Sequence, residues 1–155
     1  LKTHFMKTFR SVDEILHFAV KSAQETAQFF TNLSGQARNA KIKKEFEVYA
    51  RNEFAFMGKL TKIRDIAPLG ITSKQLKDMD ISRYQVDLES AKGLKYTDAL
   101  VMAMRKARAT LLFYHDIATR TPNEEIRSVL RKLAENEARH KRQFEIEYNE
   151  SILLQ

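Results

Sequence analysis

The chain has 155 residues, 43% hydrophobic and 30% charged, which suits one domain with a core large enough to need no covalent staples. It has no Cys, which excludes disulfides, thiolate metal sites and a Cys nucleophile, and only 4 Gly and 2 Pro, which argues against a turn-rich β-sandwich. Lys and Arg outnumber Asp and Glu by 27 to 20, a formal charge of +7, so acidic partners are favoured electrostatically. The cations fall in short groups, however: Lys41, Lys43 and Lys44; Arg105, Lys106 and Arg108; Arg139, Lys141 and Arg142. Such groups read as solvated helix faces, and they argue against nucleic acid as a partner. Charges also interrupt every apolar run well short of the roughly 18 residues of a membrane span. Residues 1–10 are basic but no apolar signal region follows them. The expectation is a cytoplasmic, helical protein with no membrane partner.

The first predicted helix covers residues 11–34, with Ile15, Leu16, Ala19, Ala23, Thr26, Ala27 and Phe30 at spacings of three and four. Ser11 followed by Glu14 has the form of a capping box, and Gly35 offers a left-handed stop. The second, over 38–66, presents Ile42, Phe46, Tyr49, Ala50, Glu53, Phe56, Met57 and Leu60. Residues 67–95 mix Pro, Gly, Ser and Asp with a short amphipathic stretch at 73–79. A structureless loop of that length is unusual in a compact domain, so the segment reads as a crossover along the bundle. The third helix covers 97–119. The fourth covers 122–150, with Thr121 as the expected N-cap and Pro122 as the first helical residue. Short loops make each pair an antiparallel hairpin, and the crossover makes the second and third helices parallel.

Sliding the chain by 84 residues lays 13–60 on 97–144 without a gap and gives 10 identities in 48 pairs. Leu16, Ala19, Ala23, Thr26 and Phe29 meet Leu100, Ala103, Ala107, Thr110 and Phe113. Asn39, Ile42, Ala50, Asn52 and Glu53 meet Asn123, Ile126, Ala134, Asn136 and Glu137. The matches fall largely on inward faces, which predicts two copies of one helical hairpin about a pseudo-twofold axis. The fourth helix carries Glu137-Ala-Arg-His140, a spacing that puts both side chains on one face. Its repeat partner is Glu53-Phe-Ala-Phe56, where the acid is kept and the His is Phe. Carboxylate oxygen and imidazole together suit iron, manganese or zinc.

On these residues, together with Phe18-Ala19-Val20, Phe29-Phe30, Ala50-Arg51-Asn52-Glu53, Ala103-Met104, Phe113-Tyr114 and the run from Leu133 to His140, the chain resembles the rubrerythrin-like branch of the ferritin-like superfamily. The resemblance covers about residues 11–148. It implies an all-α, ferritin-like four-helix bundle of two repeated hairpins joined by a long crossover, a single domain over 1–155. It also implies a di-iron site built from one lone Glu and one Glu-x-x-His pair per hairpin. In that family the lone Glu sits seven residues before the aromatic position held here by Phe30 and Tyr114. Counting back gives Ala23 and Ala107, so both lone acids are absent, and Phe56 stands where an imidazole is implied.

Three ligand positions survive: Glu53, Glu137 and His140. Two divalent ions would bring four positive charges against two carboxylates, and an uncompensated buried charge costs several kcal/mol. A di-iron centre is therefore disfavoured. Two readings of the trio stay open: a single zinc or iron ion completed by water, or no metal, with the acids sharing a proton or bonded by His140, Tyr49 or Tyr114. No catalytic residue is assigned. The function expected is a non-catalytic ferritin-like module, homodimeric or larger, with Ile152, Leu153 and Leu154 available to a neighbour. The alternative is an oxidoreductase that reduces peroxide or oxygen at iron, and lacking Cys it would need an external reductant. A DNA-coating role rests on net charge alone. His4, His17 and His115 have no partner at ligand spacing and read as surface or packing residues. Phe56 is expected to fill the vacated space and to pack with Met57, Met102 or Met104, and Met6 is an alternative start.

Overall fold

The computed structural model describes residues 7–66, 68–88 and 93–154. His4, the start near Met6 and residues 67 and 89–92 of the crossover lie outside the described residues. Four long helices dominate: α1 over Val12–Ser34, α2 over Ala40–Ile66, α4 over Tyr96–Arg120 and α5 over Glu124–Leu153. Between α2 and α4, the crossover carries the five-residue α3, Ser73–Lys77, and a 3-10 turn at Ile81–Arg83. The amphipathic stretch of the sequence thus becomes a short helix, opened by a full capping box between Thr72 and Gln75. The N-terminal segment is pinned to the crossover by an isolated bridge between Thr8 and Asp80 and by the Ile81 amide donating to the Lys7 carbonyl at 2.8 Å. None of the described helices is long and apolar enough to cross a membrane.

The helix ends differ in detail from the sequence reading. The α5 cap is Asn123, whose side chain accepts from the Ile126 amide at 3.0 Å, so Pro122 lies in the loop. Thr121 instead closes α4, donating its hydroxyl to the Ile117 carbonyl. Asn39, the repeat partner of Asn123, accepts in the same way from the Ile42 amide at 2.9 Å. A short Asn side chain reaches the third orphan amide of each second helix, which is why α2 and α5 begin in register. At α1, Ser11 accepts from the Glu14 amide, but Glu14 reaches one residue beyond the box and accepts from the Arg10 amide. Gly35 is not left-handed; its φ is −68°, and its amide donates to Asn32 in a tightened last turn. The left-handed glycines are Gly70 and Gly93, at φ +73° and +80°.

Two apolar clusters fill the bundle. One joins Ile15, Leu16 and Ala19 of α1 to Phe56 and Leu60 of α2, Phe113 and Tyr114 of α4 and Leu130 and Leu133 of α5. The other joins Phe29, Phe30 and Leu33 of α1 to Ile42, Phe46 and Ala50 of α2, Ala99, Leu100 and Ala103 of α4 and Phe144 of α5. The start of α1 therefore packs with the end of α4 and the reverse, so these helices are antiparallel. The ends of α2 and α4 share the first cluster, which makes those two parallel. Repeat partners divide between the clusters: Leu16 and Leu100, Ala19 and Ala103, Ile42 and Ile126, Ala50 and Ala134. The pseudo-twofold axis accordingly runs through the waist between them. Phe56 lies in the first cluster, whereas Met102 and Met104 border the second, so the packing of Phe56 on those methionines is not what forms.

Candidate metal centre

The waist is where both hairpins turn polar residues inward. Glu53 continues the α2 stripe of Phe46, Ala50, Phe56 and Leu60. Glu137 and His140 continue the α5 stripe of Leu130, Leu133, Ala134 and Phe144. Helical spacing gives these side chains no route to solvent. Glu53 and Glu137 are each 1% exposed and His140 is 4% exposed. The three predicted residues meet: one donor atom from each lies within 4.8 Å of the others. Among the described residues no other His, Asp or Glu group gathers in this way. His17 and His115 are exposed.

The two carboxyls lie close together, where a hydrogen bond between them would require a shared proton. Burial is the largest cause of a strong upward push on Glu53, followed by the charge of Glu137 and the bond to it. Glu137 is also raised by burial, and the bond from Glu53 and the charge of Lys106 hold it back. Burial lowers His140, against the pull of Glu53, and so favours the neutral imidazole that a metal requires. The sharing is incomplete. His140 Nδ1 stands 3.8 Å from Glu137 Oε2 and 3.9 Å from Glu53 Oε1, too far for hydrogen bonds. Glu53 Oε1, Glu137 Oε1 and His140 Nδ1 are all buried without a hydrogen-bond partner. The His140 ring is held between Tyr49, at 4.4 Å between centroids, and the edge of Phe30, at 6.0 Å.

At the other positions where the resemblance implies ligands, the side chains are apolar. Ala23 and Ala107 are 3% and 2% exposed, at the same waist, and carry no donor atom. Phe56, the repeat partner of His140, is buried in the first cluster. Thr26 and Thr110, repeat partners themselves, each return a hydroxyl to the carbonyl four residues back, Ser22 and Lys106 respectively, at 2.8 Å. Those two carbonyls belong to the pair where the symmetry breaks. Lys106 lies 3% exposed, and its ammonium donates to the Ser22 hydroxyl at 2.7 Å across the α1–α4 contact. The charge pattern places Lys106 on a solvated face with Arg105 and Arg108, but only the two arginines are exposed. The available signal was its position next to Ala107, on the inward stripe.

Farther along the bundle, buried Glu147 accepts from Arg38 at 3.0 and 3.2 Å and from the Tyr96 hydroxyl at 2.5 Å. This clamp ties the α1–α2 loop to α4 and α5. It has its own donors and is separate from the trio.

Fold and site together define a ferritin-like helical bundle with a buried carboxylate–histidine centre. The Rubrerythrin family model matches residues 14–148, and the chain belongs to that family. Among solved structures it is similar to a Thermotoga maritima protein described as ferritin-like and diiron-carboxylate. The two share 21% identity over 96% of this chain and 99% of that one, with a TM-score of 0.74. It is also similar to a hypothetical protein of Pyrococcus furiosus, at 19% identity over 90% and 89% of the two chains and a TM-score of 0.67. No curated protein matches the chain.

Proposed function

We propose that this protein binds one divalent metal ion through Glu53, Glu137 and His140, and that it is not a di-iron oxidoreductase. The observation that carries the reading is the buried trio on α2 and α5: each residue offers a ligand atom within 4.8 Å of the others, and each has a buried polar atom without a partner. Buried polar groups are ordinarily satisfied, and orphaned ones in one place call for an occupant. A dication matches the residues: two carboxylates balance its charge and a neutral imidazole completes a mixed oxygen and nitrogen set that zinc and ferrous iron accept. A second ion does not fit. Ala23, Ala107 and Phe56 offer it no oxygen or nitrogen where the family supplies two carboxylates and an imidazole. When bound, the ion would supply Lewis acidity. Glu53 and Glu137 would hold it after releasing their shared proton, and His140, fixed by Tyr49 and Phe30, would orient it.

The di-iron description of the Thermotoga maritima relative favours the oxidoreductase alternative, but it concerns a protein only 21% identical. Calorimetric titration of the metal-free protein with zinc tests the reading. One zinc per chain is expected, with affinity lowered at least tenfold by His140→Ala. No binding in the wild type, or an affinity indifferent to His140, would overturn it.

A further inference from the structure

The trio is enclosed, so an ion that reaches it must first displace a side chain. Around the waist, Phe30, Tyr114, Ala23 and Ala107 are 1%, 1%, 3% and 2% exposed and offer no opening. An open pocket lies beside Lys106, but none of Glu53, Glu137 and His140 lines it. The remaining cover is Tyr49. Of the two rings held against His140, Phe30 is buried and Tyr49 is partly exposed. Its centroid stands 4.4 Å from that of His140, so this one side chain touches both the surface and a ligand of the centre.

The repeat singles out the same residue. The partner of Tyr49 is Leu133, 1% exposed and in the apolar cluster that holds Phe56. The half of the waist that carries Phe56 is thus closed by a leucine, and the half that carries His140 is covered by a tyrosine at the surface. That tyrosine has no polar anchor. Tyr84 and Tyr96 donate their hydroxyls to Asp116 and Glu147 at 2.6 and 2.5 Å. Among the described residues no hydrogen bond holds the Tyr49 hydroxyl, and its ring rests on Phe30, Phe46 and Phe144. Such a ring changes rotamer by giving up packing alone. Charge adds little, since Glu45 acts on Tyr49 and Arg139 on His140 with opposite signs. We propose that Tyr49 is the gate of the metal centre: its ring swings out from between α2 and α5 to admit the ion to His140 and closes over it, and so sets the rate of uptake.

The inference rests on the single-ion reading, and the test separates the two. Metal-free protein is mixed rapidly with cobalt(II), whose visible bands report uptake, and excess chelator then reports release. In Tyr49→Ala, uptake is expected to be about tenfold faster or more, because no ring has to move first. Tyr49→Trp, with a larger ring in the same place, should slow uptake about fivefold. Tyr49→Phe keeps the ring and should stay within about threefold of the wild type. Faster release with unchanged uptake would make Tyr49 a support for His140 alone and would overturn the inference. Faster uptake in both Tyr49→Ala and Tyr49→Trp would show general loosening of the waist and would also overturn it. Should Tyr49→Ala fail to fold, the slowing in Tyr49→Trp decides. Cobalt bound at the wild-type rate in every variant would place the entrance elsewhere, overturning the gate and leaving the metal site standing. If the wild-type protein takes up no cobalt, the single-ion reading itself fails and the inference falls with it.

Discussion

Glu137 shows how much one side chain at the waist is asked to bear. Its carboxyl is raised by burial, so between the ordinary Glu pKa and the raised one the folded chain keeps a proton that the unfolded chain has released. Stability from that source is present below the unfolded pKa and is lost as pH rises through the folded one. Glu137→Gln keeps the shape and a hydrogen-bonding group and removes the titration. In metal-free protein the variant is therefore expected to match the wild type near pH 4 and to be more stable by about 1 kcal/mol or more at pH 8. Urea unfolding with chelator at the two pH values checks this. A variant less stable at pH 8 than at pH 4, relative to the wild type, would reverse the sign. The same residues show what a sequence can disclose. Glu53, Glu137 and His140 were legible because spacing on a helix and the 84-residue repeat both point them inward. Lys106 was not, because two exposed arginines flank it and local charge density says nothing of which side chain turns to the core. Only its Ser22 partner, 84 residues away in the chain, explains how it is held.

At the scale of elements, the four long helices and the crossover followed from periodicity, but their ends did not. Gly35 looked like a left-handed stop and is helical, because the α1–α2 turn is tightened by bonds to Asn32 and Leu33. The glycine that needs its freedom is Gly70 in the crossover, at φ +73°, where an added Cβ would come within 2.8 Å of the Pro122 ring. This close approach docks the crossover on the α4–α5 loop, a contact that no local pattern announces. Gly58 is the opposite case: it lies within α2, and a Cβ there would meet nothing within 4 Å. Gly70→Ala is expected to destabilise by about 1–3 kcal/mol, and Gly58→Ala to stabilise by about 0.5–1 kcal/mol. Thermal or urea unfolding of the two variants, side by side, gives the signs directly. Equal effects would mean that the crossover is not held as the structure shows.

For the whole molecule, the pseudo-twofold axis organises both the core and its departure from symmetry. Leucines, alanines and the two capping asparagines obey the repeat, and so do Thr26 and Thr110 with their bonds four residues back. The exceptions gather at the waist: His140 against Phe56, and Lys106 against Ser22. A symmetric waist would present two equal halves to two ions; this one places oxygen and nitrogen donors toward the second cluster and a phenyl ring toward the first. The number of ions at the waist is therefore decisive. The most direct measurement is the iron content per chain after anaerobic loading with ferrous iron, read by native mass spectrometry and followed by peroxide addition. One iron per chain is predicted, lost in Glu137→Ala, with no second equivalent taken up at excess iron. Two irons per chain, with rapid peroxide-dependent oxidation that Glu137→Ala abolishes, would contradict the account and restore the di-iron oxidoreductase.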